Sequence, residues 1–287
     1  MTRLTLGLIW LVHFLPFRAI AAIGDALGVV AFWAIAERRR VTRINLEKCF
    51  PHMGARERER LARAHFRAFS RSLIDRGVLW WGTPQRIRRF VQLEGNEHLD
   101  GARAERVVIL APHFLGLDAG GSRLSLEHSP AASMYSRQKD PLFDEFLVRG
   151  RGRFGVRLFP RQAGFRTVLR EVRSGARFYY LPDMDLGAKG AVFVPFFGVP
   201  AATTVGLSYI ARATGAKIVP CVTRMLPRGG YVARVYPAWT DFPSGDDVAD
   251  ARRLLAFIEE RVREMPEQYL WMHKRFKTRP EGEASFY

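Results

Sequence analysis

Short apolar runs alternating with helix-patterned segments constrain this chain more than any other feature of its sequence. Residues 106–110 (RVVIL), 177–181 (RFYYL) and 217–222 (KIVPCV) are rich in β-branched and aromatic side chains and too short for helices. They read as buried strands. Residues 231–238 (YVARVYPA) alternate apolar and polar side chains and read as a fourth strand. Helical patterns fill the intervals at about 138–150, 164–174, 204–214 and 247–264, with Thr203 or Thr204 capping the third and Asp246 the fourth. A further helix is expected after the segment APHFLGLD, running to about Leu126. Strand and helix in alternation predict an α/β sheet covered by helices. With 287 residues, 48% of them hydrophobic, the chain suits one large core better than two.

The amino terminus stands apart. Residues 4–15 and 19–36 are apolar stretches separated by Pro16, Phe17 and Arg18. A clean membrane span needs about 20 apolar residues. The second stretch nearly reaches that, but Asp25, Gly24 and Gly28 interrupt it. Neither ends in a small-residue cleavage site, which argues against a removable signal peptide. We expect residues 1–37 to form a membrane anchor, as a bent span or a helical hairpin, ahead of a main domain over 38–287. The competing expectation is an amphipathic helix packed on that domain. The basic run ERRRVTR (37–43) would bind anionic headgroups and keep the main domain in the cytoplasm. Residues 56–80 read as a helix with seven arginines from Arg56 to Arg76, forming either a solvated face or a contact with membrane phosphates.

Charge narrows the partners without choosing among them. Forty-five Lys and Arg against 28 Asp and Glu give a net charge of +17. Nucleic acid, anionic lipid and acidic carrier proteins all suit such a surface. Nucleic acid is disfavoured, because no zinc-finger, RNP or helix-turn-helix signature accompanies the charge. Two cysteines, Cys49 and Cys221, are too few for a disulfide framework and lack metal-ligand spacing, so both read as ordinary thiols.

Chemistry concentrates in HFLGLD, where His113 and Asp118 lie just past the strand RVVIL. Ligands gather at the carboxyl ends of strands in open α/β sheets. Pro112 stops the strand and Gly116 turns the chain into the next helix. Two residues five apart on one helix point about 140° apart. With His113 in the turn and Asp118 in the first helical turn, the carboxylate can reach the ring. It would fix the tautomer and leave the other nitrogen to accept a proton. A metal hydrolase using His113, Asp118, Asp183 and Asp185 is a rival, weakened because the other histidines lack ligand spacing. A non-catalytic membrane-surface protein is another.

HFLGLD resembles the H-x4-D/E motif of the glycerolipid acyltransferase superfamily. The wider chain resembles its lipid A branch, the late acyltransferases of lipid A biosynthesis. The matching stretches are LAPHFLGLDAGG (110–121), MYSRQKDPLFDEFL (134–147), residues 179–220, beginning YYLPDMDLG, and EQYLWMHKRFKTRPEG (267–282). The resemblance implies a mixed sheet with helices on both faces, a membrane location on the cytoplasmic side of the bacterial inner membrane, and no cofactor or metal. It implies acyl transfer from an acyl-carrier-protein thioester to a hydroxyl of a Kdo-bearing lipid A precursor. His113 would be the general base and Asp118 its orienting partner. Another lipid or glycolipid acceptor is the alternative, and LPDMDLG (181–187) departs from the motif of the glycerol-phosphate relatives. Arg161 stands where the superfamily's second motif binds acceptor phosphate, which a guanidinium fork suits. Arg137 and Lys189 are further substrate-binding candidates, and Asp183 and Asp185 are candidates to orient the acceptor or basic site residues. VFVPFFG (192–198) could line an acyl channel or simply fill the core.

Overall fold

A computed structural model describes residues 2–102 and 104–287. Six helices open the chain: α1 (Thr2–Val12), α2 (Phe17–Ala34), α3 (Ala36–Cys49), α4 (Ala55–Ile74), α5 (Arg76–Trp81) and α6 (Pro84–Phe90). The sheet and its helices come next: β1 (Val91–Glu94), α7 (Glu97–Asp100), β2 (Val107–Leu110), α8 (Leu117–Glu127), β3 (Ala131–Tyr135), α9 (Pro141–Gly152), β4 (Val156–Pro160), α10 (Gly164–Arg173) and β5 (Arg177–Tyr180). Then come β6 (Ala191–Phe196), β7 (Val199–Thr204), α11 (Gly206–Thr214), β8 (Lys217–Met225), β9 (Tyr231–Val235) and α12 (Asp247–Glu264).

Seven strands form one mixed sheet in the order β1-β9-β8-β2-β5-β3-β4. Every neighbouring pair is parallel except β8 with β9. β2 lies in the middle, and its four residues are all buried. Alternation along it feeds two cores. Val108 and Leu110 join α10, α11 and α12 on one face, while Val107 and Ile109 join α8 and the amino-terminal helices on the other. Hence the run lacks the polar alternation of a half-exposed strand. β6 and β7 form a separate antiparallel hairpin. Its two-residue turn, Phe197-Gly198, has φ of 50° and 80°, the positive values of a type I′ turn. VFVPFFG is therefore largely hairpin and core: Val194 and Phe196 are buried against α12 and the carboxy-terminal segment.

The helix expected over 56–80 breaks at Asp75 into α4 and α5. The buried Asp75 carboxylate accepts a hydrogen bond from the Tyr231 hydroxyl at 2.5 Å, which joins the break to β9. Of the arginines in this stretch, Arg71 and Arg76 turn inward. Arg71 donates to the carbonyls of Leu226 and Pro227, and Arg76 pairs with Asp118.

The amino-terminal helices pack on the domain. A Cβ at Gly24 or Gly28 of α2 would lie 2.6 Å and 2.4 Å from the Cα atoms of Arg71 and Arg67 in α4. The two helices thus touch backbone to backbone, and the glycines that interrupt the apolar stretch are what permits this. α2 is the one described helix long and apolar enough to cross a membrane, with 28% of it buried inside the protein. Its outer face leaves Leu27, Val30 and Trp33 exposed, and α1 exposes Leu4, Leu8 and Leu11.

Candidate functional site

His113 lies in the loop between β2 and α8, at the carboxyl end of the central strand. That loop is clamped from the far end of the chain. The Leu115 N–H donates to the Gln268 carbonyl and the Leu270 N–H to the His113 carbonyl, while Phe114 bridges Tyr269. The distinctive run EQYLWM is thereby the strap that fixes the His113 backbone. The Asn45 amide holds it in turn through the carbonyls of Trp271 and His273.

The carboxylate on the His113 ring is Asp183, not Asp118 as expected. Asp183 Oδ1 lies 2.7 Å from His113 Nδ1, and its Oδ2 accepts the His113 backbone N–H at 2.9 Å. Burial works against the charge of Asp183. The His113 ring and backbone, and then Arg275, nevertheless hold its pKa below the ordinary carboxylate value. A carboxylate accepting from Nδ1–H leaves Nε2 of the neutral ring with its lone pair. Asp118, the second residue of α8, sits where an anion meets the helix amino terminus. Its partners are Arg151 at 2.7 Å and Arg76 at 3.3 Å. Burial again opposes the charge, and the two guanidinium groups keep the pKa lowered. This cluster ties α8 to α5 and α9. The reason for the difference is local: β2 and β5 are parallel neighbours, so the loops leaving their carboxyl ends run side by side and bring Asp183 under the ring.

A cavity of about 580 Å³ opens beside His113 and Asp118 and passes between α8, α9 and the strands β3, β4 and β5. Leu124, Met134, Leu147, Val156 and Leu158 give it apolar walls. This is the size and character of a slot for a hydrocarbon chain. Arg161 and Lys189 line its exposed mouth, as do the exposed apolar side chains Phe165 and Leu186. Arg137 is exposed and does not line the cavity, although its neighbours Ser136 and Gln138 do. Asp185 is buried and does not line the cavity. It accepts from the Thr278 N–H and hydroxyl, both at 2.7 Å, and from the Gly187 N–H. It thus shapes the loop that presents Asp183. The His273 ring, its pKa lowered to about 4 chiefly by burial, is neutral and accepts the Asp185 N–H.

Sequence reading assigns site roles to His113, Asp118 and Asp183 but none to Arg76, Arg151 or the contacts of the strap with the His113 loop. Arg76 and Arg151 gave no local signal, being two among 45 basic residues. The acidic, histidine-bearing and aromatic segments at 181–187 and 267–273 were visible, but which residue faced His113 was not.

Comparison with known proteins shows the family. The family described as bacterial lipid A biosynthesis acyltransferase matches residues 1–278. A lipid A biosynthesis lauroyltransferase of Escherichia coli is 34% identical over 100% of this chain and 94% of its own length. A palmitoleoyltransferase of the same organism is 32% identical over the same shares, and a myristoyltransferase 32% identical over 87% of this chain and 78% of its own. Among solved structures, a 1-acyl-sn-glycerophosphate acyltransferase of Thermotoga maritima covers 85% of this chain and 97% of its own at 16% identity and a TM-score of 0.38, too loose a likeness to carry weight. With the whole length of the chain aligned to such relatives, this protein belongs to the bacterial lipid A biosynthesis acyltransferases and is an acyl-transferring enzyme.

Proposed function

We propose that the protein transfers a fatty acyl chain from an acyl-carrier-protein thioester to a hydroxyl of a Kdo-bearing lipid A precursor, with His113 as general base. The observation that carries this reading is an imidazole whose Nδ1 is held by a buried carboxylate at the mouth of an apolar cavity. The acyl chain of the donor lies in the cavity, with its thioester carbonyl at the mouth. The acceptor hydroxyl attacks that carbonyl while Nε2 of His113 takes its proton. The tetrahedral adduct collapses, the carbon–sulfur bond breaks, and the departing thiolate recovers the proton from the imidazolium. No covalent acyl-enzyme is required, because the thioester is already activated. Asp183 orients the ring and stabilises its protonated form. Asp118 acts through Arg76 and Arg151, holding the entry of α8 in place. Arg161 and Lys189 meet acceptor phosphates at the mouth, and Phe165 and Leu186 meet its acyl chains.

The membrane supplies the acceptor. α1 joins this surface to the site, since its Thr2 hydroxyl donates to Asp140 at the start of α9, one wall of the cavity. α2 is sealed lengthwise onto the arginine-bearing α4. Spanning the bilayer would carry those arginines toward hydrocarbon, at a cost of about 2.5 kcal/mol or more each. We therefore place α1 and α2 flat in the interface, on the cytoplasmic leaflet of the inner membrane, with Leu8, Val30 and Trp33 in lipid. Mass spectrometry of lipid A from cells with and without this protein tests the reading. Lipid A lacking one acyl chain when the protein is absent supports it, and unchanged lipid A contradicts it.

A further inference from the structure

A second, small cavity of about 10 Å³ is bounded by Asn45, His113, Asp183, Tyr269, His273 and Arg275. Arg275 is 2% exposed and makes no direct ion pair among the described residues. Its guanidinium is fixed by β7 instead. Nη1 donates to the Ala202 carbonyl at 2.9 Å and Nη2 to the Thr203 hydroxyl at 3.0 Å. The Phe196 ring of β6 lies 5.5 Å from it. The β6–β7 hairpin thus holds a buried cation in a wall shared with Asp183 and His113.

A buried cation is costly unless an anion answers it. Tyr269, His273, Cys49, Tyr287 and Asp183 all lie in the field of Arg275. Burial keeps the first four uncharged at neutral pH. It raises Tyr269, Cys49 and Tyr287, the last to about 12, and lowers His273 to about 4. Asp183 is left as the carboxylate that answers the guanidinium, across a gap too wide for a direct ion pair. The other carboxylates near His113 are engaged elsewhere, Asp185 with Thr278 and Gly187, and Asp118 with Arg76 and Arg151. Arg161 and Lys189 stand at the exposed mouth, where solvent screens them. An arginine keeps its charge at any pH at which enzymes work. A proton that joins the His113–Asp183 pair therefore adds positive charge beside a fixed positive charge. The same field disfavours the imidazolium of the transition state, so its benefit lies on the acid side, where the free base would otherwise be lost.

We propose that Arg275 is a positioning residue of the transfer reaction, acting through Asp183: its guanidinium keeps the His113–Asp183 pair unprotonated until the acceptor hydroxyl delivers its proton. The proposal rests on His113 being the general base. It adds the group, supplied by the carboxy-terminal strap and held by the β6–β7 hairpin, that keeps this base free on the acid side.

The test compares the parent chain with Arg275→Gln, Arg275→Met and Arg275→Lys, using two readouts against pH. One is kcat/KM for transfer from an acyl-carrier-protein thioester to a Kdo-bearing acceptor. The other needs no substrate. It is the rate at which diethyl pyrocarbonate, which attacks the unprotonated ring, modifies His113, followed on the His113 peptide by mass spectrometry. The neutral variants should unfold at lower temperature, and their acid limbs should move to higher pH by about 0.5–1 unit in both readouts. Arg275→Lys should also lose stability, because the fork that β7 holds is gone, but should keep the acid limb of the parent. A folded neutral variant with lowered stability and an unmoved limb overturns the proposal and reduces Arg275 to a support for β7. Should neither neutral variant fold, Arg275→Lys decides: a limb at the parent's pH supports the proposal and an upward shift overturns it. Absence of transfer by the parent at every pH contradicts the donor or acceptor assignment, and the modification of His113 then decides the role of Arg275 by the same limbs.

Discussion

The side chain that holds the His113 ring comes from 70 positions further along the chain, and it uses both of its oxygens to do so. One oxygen fixes the tautomer and the other fixes the backbone, so ring and loop are set by the same carboxylate. This separates the roles of two aspartates and gives Asp183 the place beside the ring that the sequence reading assigns to Asp118. Asp183→Asn keeps the shape but weakens the ring's anchor and its compensating charge. It should lower turnover by about 10²–10⁴-fold while leaving substrate binding largely unchanged. Asp118→Asn leaves the partly buried Arg76 and Arg151 without a counter-charge. It should cost about 1–3 kcal/mol of stability and reduce turnover less than Asp183→Asn does. Kinetics and denaturant unfolding on the two variants check this, and equal rate losses with unchanged stability would refute the separation. His113 lies in the turn and Asp118 in the first turn of α8, the arrangement under which the two were expected to meet, yet Asp118 pairs with Arg76 and Arg151 instead. Which carboxylate reached the ring depended on the neighbouring strand, which no local spacing encodes.

At the scale of elements, the runs with strong local patterns were legible. RVVIL became β2, RFYYL lies over β5, and helix 247–264 begins at its Asp246 cap, whose side chain accepts from the N–H groups of Val248 and Ala249. β1, β3 and β4 were not recognised. AASMY and VRLFP carry weak strand propensity and owe their pairing to β5 and to each other. The β6–β7 hairpin was missed because its turn is Phe-Gly rather than a dipeptide such as Asn-Gly that signals one. The break between α4 and α5 was also invisible, since it rests on a distant partner, Tyr231. That break has a pH consequence. Burial pushes Asp75 up from an ordinary value near 3.8 to about 7. The folded state therefore binds a proton that the unfolded state has released between about pH 4 and pH 7. Stability is fullest below pH 4 from this group and is lost as pH rises toward 7, by on the order of 4 kcal/mol. Denaturant unfolding at pH 5 and pH 8 should show that Asp75→Asn, which keeps an acceptor for Tyr231, flattens this slope relative to the parent protein. A slope unchanged by the substitution would show that Asp75 is ionised throughout.

Across the whole molecule, a net charge of +17 accompanies the exposed apolar face of α1 and α2. In the proposed interfacial placement, basic residues draw the protein to anionic lipid, and Leu8, Val30 and Trp33 hold it there. Leu8→Asp combined with Trp33→Asp should weaken flotation with anionic vesicles by at least about tenfold, from lost apolar burial alone, while the thermal unfolding midpoint stays close to that of the parent. Undiminished flotation would move the docking face elsewhere. On the proposed function, such a surface would bring an amphipathic acceptor to the mouth of the cavity that Arg161, Lys189 and His113 line. The most direct measurement is mass spectrometry of the product formed from a carrier-protein thioester and a Kdo-bearing lipid A precursor, by the parent enzyme and by His113→Ala. A product heavier by one acyl chain is expected from the parent, and about 10²–10⁴-fold slower formation from the folded variant. Undiminished product from His113→Ala would contradict that expectation.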